Sequence, residues 1–203
     1  MSMPKSVTTI AKLIGATFAV AALLATGLVT APSPVNAAET FRHDPQADLQ
    51  GYYVPEWNVQ TGVTTSYRAG NFVLAHIAIG SLNELKKYET SGPDADMPNY
   101  APVMLQFDDT TSKTGENELG QTYYEITERI LPDTYSLSAD SVTVSGTGGT
   151  LGPVTFTAKP DLKKIEAARN NPAHISDGPA LIGTLTVGDT VIEDVKLMWY
   201  GGE

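Results

Sequence analysis

The sequence predicts an all-β domain, mainly an antiparallel β-sandwich or a closed β-barrel of about nine short strands, with one or two short peripheral helices. Apolar and polar residues alternate through most of the chain after residue 51, which is typical of strands that bury one face. Glycine-bearing and polar turns separate these short runs. No repeat of about 20–50 residues is visible, which argues against a solenoid or a propeller.

The first 37 residues predict an export signal that is cleaved. Lys5 and Lys12 provide a positive start, an apolar core follows, and the small-residue sequence "VNA" ends the segment. The alternative is a membrane anchor, but the apolar run of about 17 residues is short for a membrane span and has no basic flank after it. We therefore expect a protein exported to a bacterial periplasm or to the medium, without a membrane anchor. Residues 38–50 would form a flexible arm, and residues 51–203 a single domain.

Composition excludes several classes of function. Cleavage would leave 11 basic and 23 acidic residues and a formal charge of −12, which disfavours nucleic acid as a partner. The absence of cysteine excludes disulfides, thiolate metal sites, a nucleophilic cysteine and a lipid-modified cysteine.

The first predicted strands lie at residues 51–54 and 63–67, before the longer run "APVMLQFDD". In that run Val103, Leu105 and Phe107 share one face, as a half-buried strand requires. The run at 121–131 also alternates, so residues 108–120 are expected to connect two neighbouring antiparallel strands.

Residues 71–79 could form a strand or a helix, because short apolar runs are ambiguous by periodicity alone. Gly80 and the β-branched residues favour a strand that ends before a separate helix. That helix would begin at Ser81, which has the spacing of a capping box with Glu84.

The C-terminal half continues the strand pattern at 134–138, 141–147 and 152–158. Asp161 can cap a second short helix over "LKKIEAAR". Gly188 and Asp189 separate two further alternating runs, and this pair suits the tight turn of a hairpin.

The acidic segment 108–120 is the candidate metal site. A loop that alone binds calcium usually spaces its acids at alternate positions, and here a lysine intrudes and the spacing fails. A looser calcium site could still use Asp109, Glu116 and Glu118, but a solvated turn is the preferred interpretation.

Signs of catalysis are weak. The three histidines are scattered, and His76 in its apolar run is more typical of a buried neutral histidine than of a zinc or catalytic ligand. No G-x-S-x-G sequence occurs, and the glycine-rich "GTGGTLG" lies between two strand patterns with no helix after it, unlike a phosphate-binding loop. A glycosidase pair could be drawn from Asp108, Glu125 and Glu128, although acidic proteins offer such pairs by chance.

Aromatic residues are the remaining functional clue, because exposed rings can stack on sugars and inward rings can line an apolar cavity. The candidate ligand-binding residues are Trp57, Tyr67, His76 and Trp199. The sequence favours an exported, non-enzymatic domain that binds a small apolar molecule, a glycan or a protein. The alternatives are a structural or adhesive module of the cell envelope and, third, a hydrolase with a carboxylate pair.

Overall fold

The computed structural model describes residues 40–58, 63–118, 120 and 122–201, so the expected export signal at 1–37 lies outside the described residues. The two helices are α1 (Leu82–Ser91) and α2 (Leu162–Arg169). The strands are β1 (Phe41–His43), β2 (Gly51–Pro55), β3 (Trp57–Asn58), β4 (Val63–Thr64), β5 (Arg68–Ala69), β6 (Phe72–Ile79), β7 (Val103–Asp109), β8 (Thr114–Glu116), β9 (Thr122–Tyr124), β10 (Thr127–Ile130), β11 (Pro132–Leu137), β12 (Val142–Gly148), β13 (Gly152–Pro160), β14 (Leu181–Val187) and β15 (Thr190–Tyr200). The prediction of a mainly β protein with one or two short helices is confirmed for the described residues, which form two.

Ten strands form one curled sheet, a half-barrel, in the order β1-β11-β12-β13-β14-β15-β2-β6-β7-β10, and β5 pairs with β6 beside this path. Every neighbouring pair is antiparallel except β1 and β11, which are parallel. Two small hairpins, β3–β4 and β8–β9, form separate pairs.

The inward face of the sheet carries one hydrophobic core. Along β7 the inward residues Val103, Leu105 and Phe107 are buried, as their alternation predicts, while Met104 and Gln106 lie on the other face and are only half-buried. The largest fully buried side chains include Tyr53, Tyr135, Phe107 and Phe156, which fill the inside of the curl.

The ambiguous apolar run is a strand, β6, which lies between β2 and β7. A bulge between Leu74 and His76 shifts its register against β7. Helix α1 then begins with the predicted capping box: the Ser81 hydroxyl accepts the Glu84 N–H at 3.3 Å, and the Glu84 carboxylate accepts the Ser81 N–H at 2.8 Å.

The C-terminal predictions are also confirmed. Asp161 caps α2 by accepting the Lys164 N–H at 3.2 Å. β14 and β15 form the predicted hairpin through Gly188, whose φ is 53°, a value that glycine adopts readily in such turns.

Gly146 marks a close crossing of backbones. A side chain at this position in β12 would lie 2.2 Å from the carbonyl oxygen of Leu131, the residue that joins β10 to β11. The Glu128 carboxylate accepts the Thr150 N–H at 2.9 Å and thereby fixes the following turn. The glycine-rich segment therefore belongs to the β12–β13 hairpin, and its glycines allow close packing.

Two expectations differ from the structure. The run at 121–131 forms two strands, β9 and β10, and not one. Only β10 joins the main sheet, because Glu125 donates its N–H to the Lys113 carbonyl beside the β8–β9 hairpin. Within the expected arm, residues 41–43 form β1 on the edge of the main sheet, and Leu49 is buried in the core. Among the described residues neither helix is long and apolar enough to cross a bilayer.

Candidate functional site

A cleft with an exposed aromatic wall, here called the outer groove, lies on the outward face of β15, β2, β6 and β7 and has a volume of about 730 Å³. It is lined by Val54, Pro55, Trp57, Thr64, Thr65, Ser66, Val73, Leu74, Ala75, Asp108, Ile175, Met198 and Tyr200.

Strand pairing builds the apolar wall of the outer groove. Met198 lies opposite Val54, and Tyr200 lies opposite Tyr52, so these four side chains share the outward face. The alternate residue Trp199 faces the core. Met198 is on the outward face but is only 5% exposed, so it lies deep in the groove.

The β3–β4 hairpin forms one side of the outer groove. Glu56 donates its N–H to the Lys196 carbonyl at 3.0 Å and accepts the Thr65 N–H at 2.8 Å, which attaches the hairpin to β15. Trp57 pairs with Thr64 in this hairpin and is 48% exposed. The hairpin therefore presents an accessible indole beside a row of hydroxyl groups.

On the opposite side of the groove, Asp108 of β7 supplies a polar group that is linked to Gln106 and Arg129 behind it. The Arg129 Nε donates to the Gln106 Oε1 at 3.2 Å, and Gln106 in turn donates to Asp108, which lines the groove. Partial burial raises the pKa of Asp108, and the hydrogen bond from Gln106 opposes that effect. Within the described residues no salt bridge involves Asp108 or Arg129. The Asp108 carboxylate can therefore still accept hydrogen bonds from a ligand in the groove.

His76 lies beside the outer groove and does not line it. Its ring makes an edge contact with Tyr52, with centroids 5.4 Å apart. Burial, followed by the positive charge of Arg129, lowers the pKa of His76, so the imidazole is neutral at neutral pH. Across the described part of the chain, no three His, Asp or Glu side chains are grouped so that they could hold a metal ion.

Tyr67 and Trp199 are buried, whereas Trp57 is exposed. The Tyr67 hydroxyl accepts the Lys196 N–H at 2.6 Å and lies 3.2 Å from its carbonyl oxygen, which ties it to β15. Trp199 is 3% exposed and donates its Nε1–H to the Gln50 carbonyl at 2.8 Å. Their polar atoms are thus used inside the fold, as is usual for buried aromatic residues.

Among its described residues, the acidic segment contains no group of three side chains that could hold a metal ion. The Asp109 carboxylate accepts the Thr111 N–H at 2.9 Å and its hydroxyl at 2.6 Å, and these two bonds lower the pKa of Asp109. Glu116 lies in the β8–β9 hairpin, and Asp109, Glu116 and Glu118 do not converge. Asp109 therefore stabilises a local turn.

The carboxylates considered for glycoside hydrolysis are also separated. Glu128 lies opposite Phe107, a core residue, whereas Asp108 lies opposite Thr127 on the other face of the same strand pair. Glu125 is exposed on the segment between β9 and β10. The three acids do not surround a common cleft.

Sequence reasoning identified Trp57 but missed the other walls of the outer groove. The signal for Met198 and Tyr200 was the run "KLMWY", which is apolar on both faces in a strand of an antiparallel sheet. Gln106 and Arg129 gave no local signal, because only the pairing of β7 with β10 brings them together.

Comparison with models of protein families, with curated proteins and with solved structures found no match to this chain.

Proposed function

We propose that the protein is an exported, non-enzymatic binding domain that holds an uncharged glycan in the outer groove. The observation that carries this proposal is that an exposed indole, Trp57, and the half-buried carboxylate of Asp108 line the same cleft. Sugars have apolar C–H faces and hydroxyl edges. An aromatic wall beside hydrogen-bonding groups is complementary to both.

Charge supports an uncharged ligand. The chain has a formal charge of −10, and Asp108 has no cationic partner among the described residues, so an anionic ligand would be repelled. Asp108 and the hydroxyl groups of Thr64, Thr65 and Ser66 can instead accept and donate hydrogen bonds to sugar hydroxyls.

The filled core favours a glycan bound on the surface over an apolar molecule bound inside the curl. Tyr53, Phe107 and Phe156 fill the inward face and are fully buried. An internal ligand would have to displace close-packed side chains, which costs stability. The groove on the outward face needs no such displacement.

A protein-binding envelope module is the second candidate. Exposed Tyr123 and Ile126 lie next to β10, the edge strand of the sheet path, and such edges can pair with other chains. This function predicts binding that depends on Tyr123 and Ile126 and not on Trp57.

The test is titration calorimetry of the purified protein with neutral cello-, chito- and manno-oligosaccharides. We expect at least one series to bind and Trp57→Ala to weaken that binding by about three- to tenfold, the loss expected for one stacked ring. Tyr123→Ala is the matched control, since Tyr123 is about equally exposed but does not line the groove. The proposal is overturned if no neutral sugar binds, or if an apolar dye binds with a dependence on Trp57 while the sugars do not compete.

A further inference from the structure

A second aromatic surface adjoins the outer groove through Tyr52. This residue is 44% exposed and lies directly opposite Tyr200, which lines the groove. On its other side Tyr52 lies opposite Ala78, and its ring contacts the edge of the His76 ring while remaining accessible to solvent. The apolar outward face therefore continues past the end of the groove.

Tyr100 stands beyond Tyr52. Burial, then the hydrogen bond and charge of Glu84, and last the neighbouring Tyr52 raise the pKa of Tyr100 to about 12. The Tyr100 hydroxyl donates to the Glu84 carboxylate at 2.7 Å, and that carboxylate is itself held by the capping box of α1. The ring is thus fixed in position by a helix end.

Tyr100 lines a second, smaller cavity of about 280 Å³ between α1 and the segment that leads to β7. Met97 and Pro102 supply apolar walls, while Lys87 and Asp94 supply polar groups at its border. Like the outer groove, this cavity combines an aromatic ring with hydrogen-bonding side chains. In the strand register Tyr52 is level with Ala78 and with Met104 of β7, which lies between Pro102 at this cavity and Asp108 at the outer groove.

From these contacts we infer that the ligand is an extended glycan chain, which occupies the outer groove with one end and continues across Tyr52 towards Tyr100. This inference rests on the proposed function. Asp108 and Tyr52 lie roughly 16 Å apart along the sheet, because they pair with Val73 and Ala78, which are five residues apart on β6. A chain of several sugar units is needed to contact both, whereas a disaccharide can fill only one end.

Ring stacking sets the size of the expected effect. Aromatic contacts of this type change an equilibrium by about three- to tenfold per ring. In the wild-type protein, affinity should therefore rise from the disaccharide to the hexasaccharide. Tyr52→Ala should lower the affinity for the hexasaccharide by about three- to tenfold and leave the affinity for the disaccharide nearly unchanged.

The experiment is a titration of di-, tetra- and hexasaccharides of the cello, chito and manno series against wild type, Tyr52→Ala and Tyr52→Phe. Tyr52→Phe keeps the ring and should bind like wild type, and equal melting temperatures would exclude a folding defect. Equal affinity for short and long chains, or an equal loss for both in Tyr52→Ala, would overturn the extended chain while leaving the glycan proposal intact. If no oligosaccharide binds the wild-type protein, the proposed function and this inference both fall.

Discussion

His43 on β1 and Glu89 on α1 form a partly buried hydrogen-bonded contact: the histidine Nδ1 lies 2.8 Å and 2.9 Å from the two carboxylate oxygens. The side chains are 8% and 18% exposed. On the same two elements, Phe41 of β1 and Tyr88 of α1 contact each other, and both contact the ring of Tyr135. The contact fixes α1 on the first strand of the sheet.

Removing one member should therefore destabilise the protein. We expect His43→Ala to lower the free energy of unfolding by about 1–2 kcal/mol, because the partly buried carboxylate of Glu89 loses its hydrogen-bond partner. Arg42→Ala is the control on the same strand, since Arg42 is exposed and should matter by less than about 0.5 kcal/mol. Urea denaturation measures both values, and equal effects would show that the His43–Glu89 contact adds no stability.

Two buried tyrosines allow a matched test of hydrogen bonding in the core. The Tyr53 hydroxyl donates to the Leu49 carbonyl at 2.7 Å, so Tyr53→Phe should cost about 1 kcal/mol. The Tyr135 hydroxyl is buried without a hydrogen bond of good geometry, although burial and the nearby charge of Glu89 raise the pKa of Tyr135. Tyr135→Phe should therefore be neutral or stabilising. Greater destabilisation by Tyr135→Phe than by Tyr53→Phe would contradict this account.

Glu84 predicts a dependence of stability on pH. Hydrogen bonds from Tyr100 and then from Ser81 lower the pKa of Glu84 below its ordinary value of 4.5. Because the carboxylate is favoured in the folded state, it stabilises the fold above pH 4.5, and this contribution is lost as the pH falls through the lowered pKa. Carboxyl-detected NMR should show the pKa of Glu84 rising towards 4.5 in Tyr100→Phe, and an unchanged value would refute the assignment.

Local chemistry made much of the fold predictable. The spacing of Ser81 and Glu84 predicted where α1 begins, and Gly188 with Asp189 predicted the last hairpin, because each pattern depends on residues close in sequence. The parallel pairing of β1 with β11 was missed because Phe41 and Tyr135 are distant in sequence and their contact leaves no periodic trace.

The outer groove was predictable only in part for the same reason. Trp57 was identified because an indole in an irregular stretch is conspicuous. Trp199 has the same chemistry, yet its alternation with Met198 did not show which of the two faces the core. Arg129 and Asp108 lie close to each other only because β10 pairs with β7, which the sequence alone does not show.

Acrylamide quenching of tryptophan fluorescence tests the central claim most directly. The chain has two tryptophans, and only Trp57 is open to solvent, so buried Trp199 serves as an internal reference. With a saturating concentration of whichever neutral hexasaccharide binds in calorimetry, we expect the quenchable fraction to disappear in the wild type. The fluorescence of Trp57→Ala should be resistant to quenching with or without sugar. A wild-type protein that binds the sugar while Trp57 stays fully quenchable would contradict the account, because the glycan would then lie outside the outer groove.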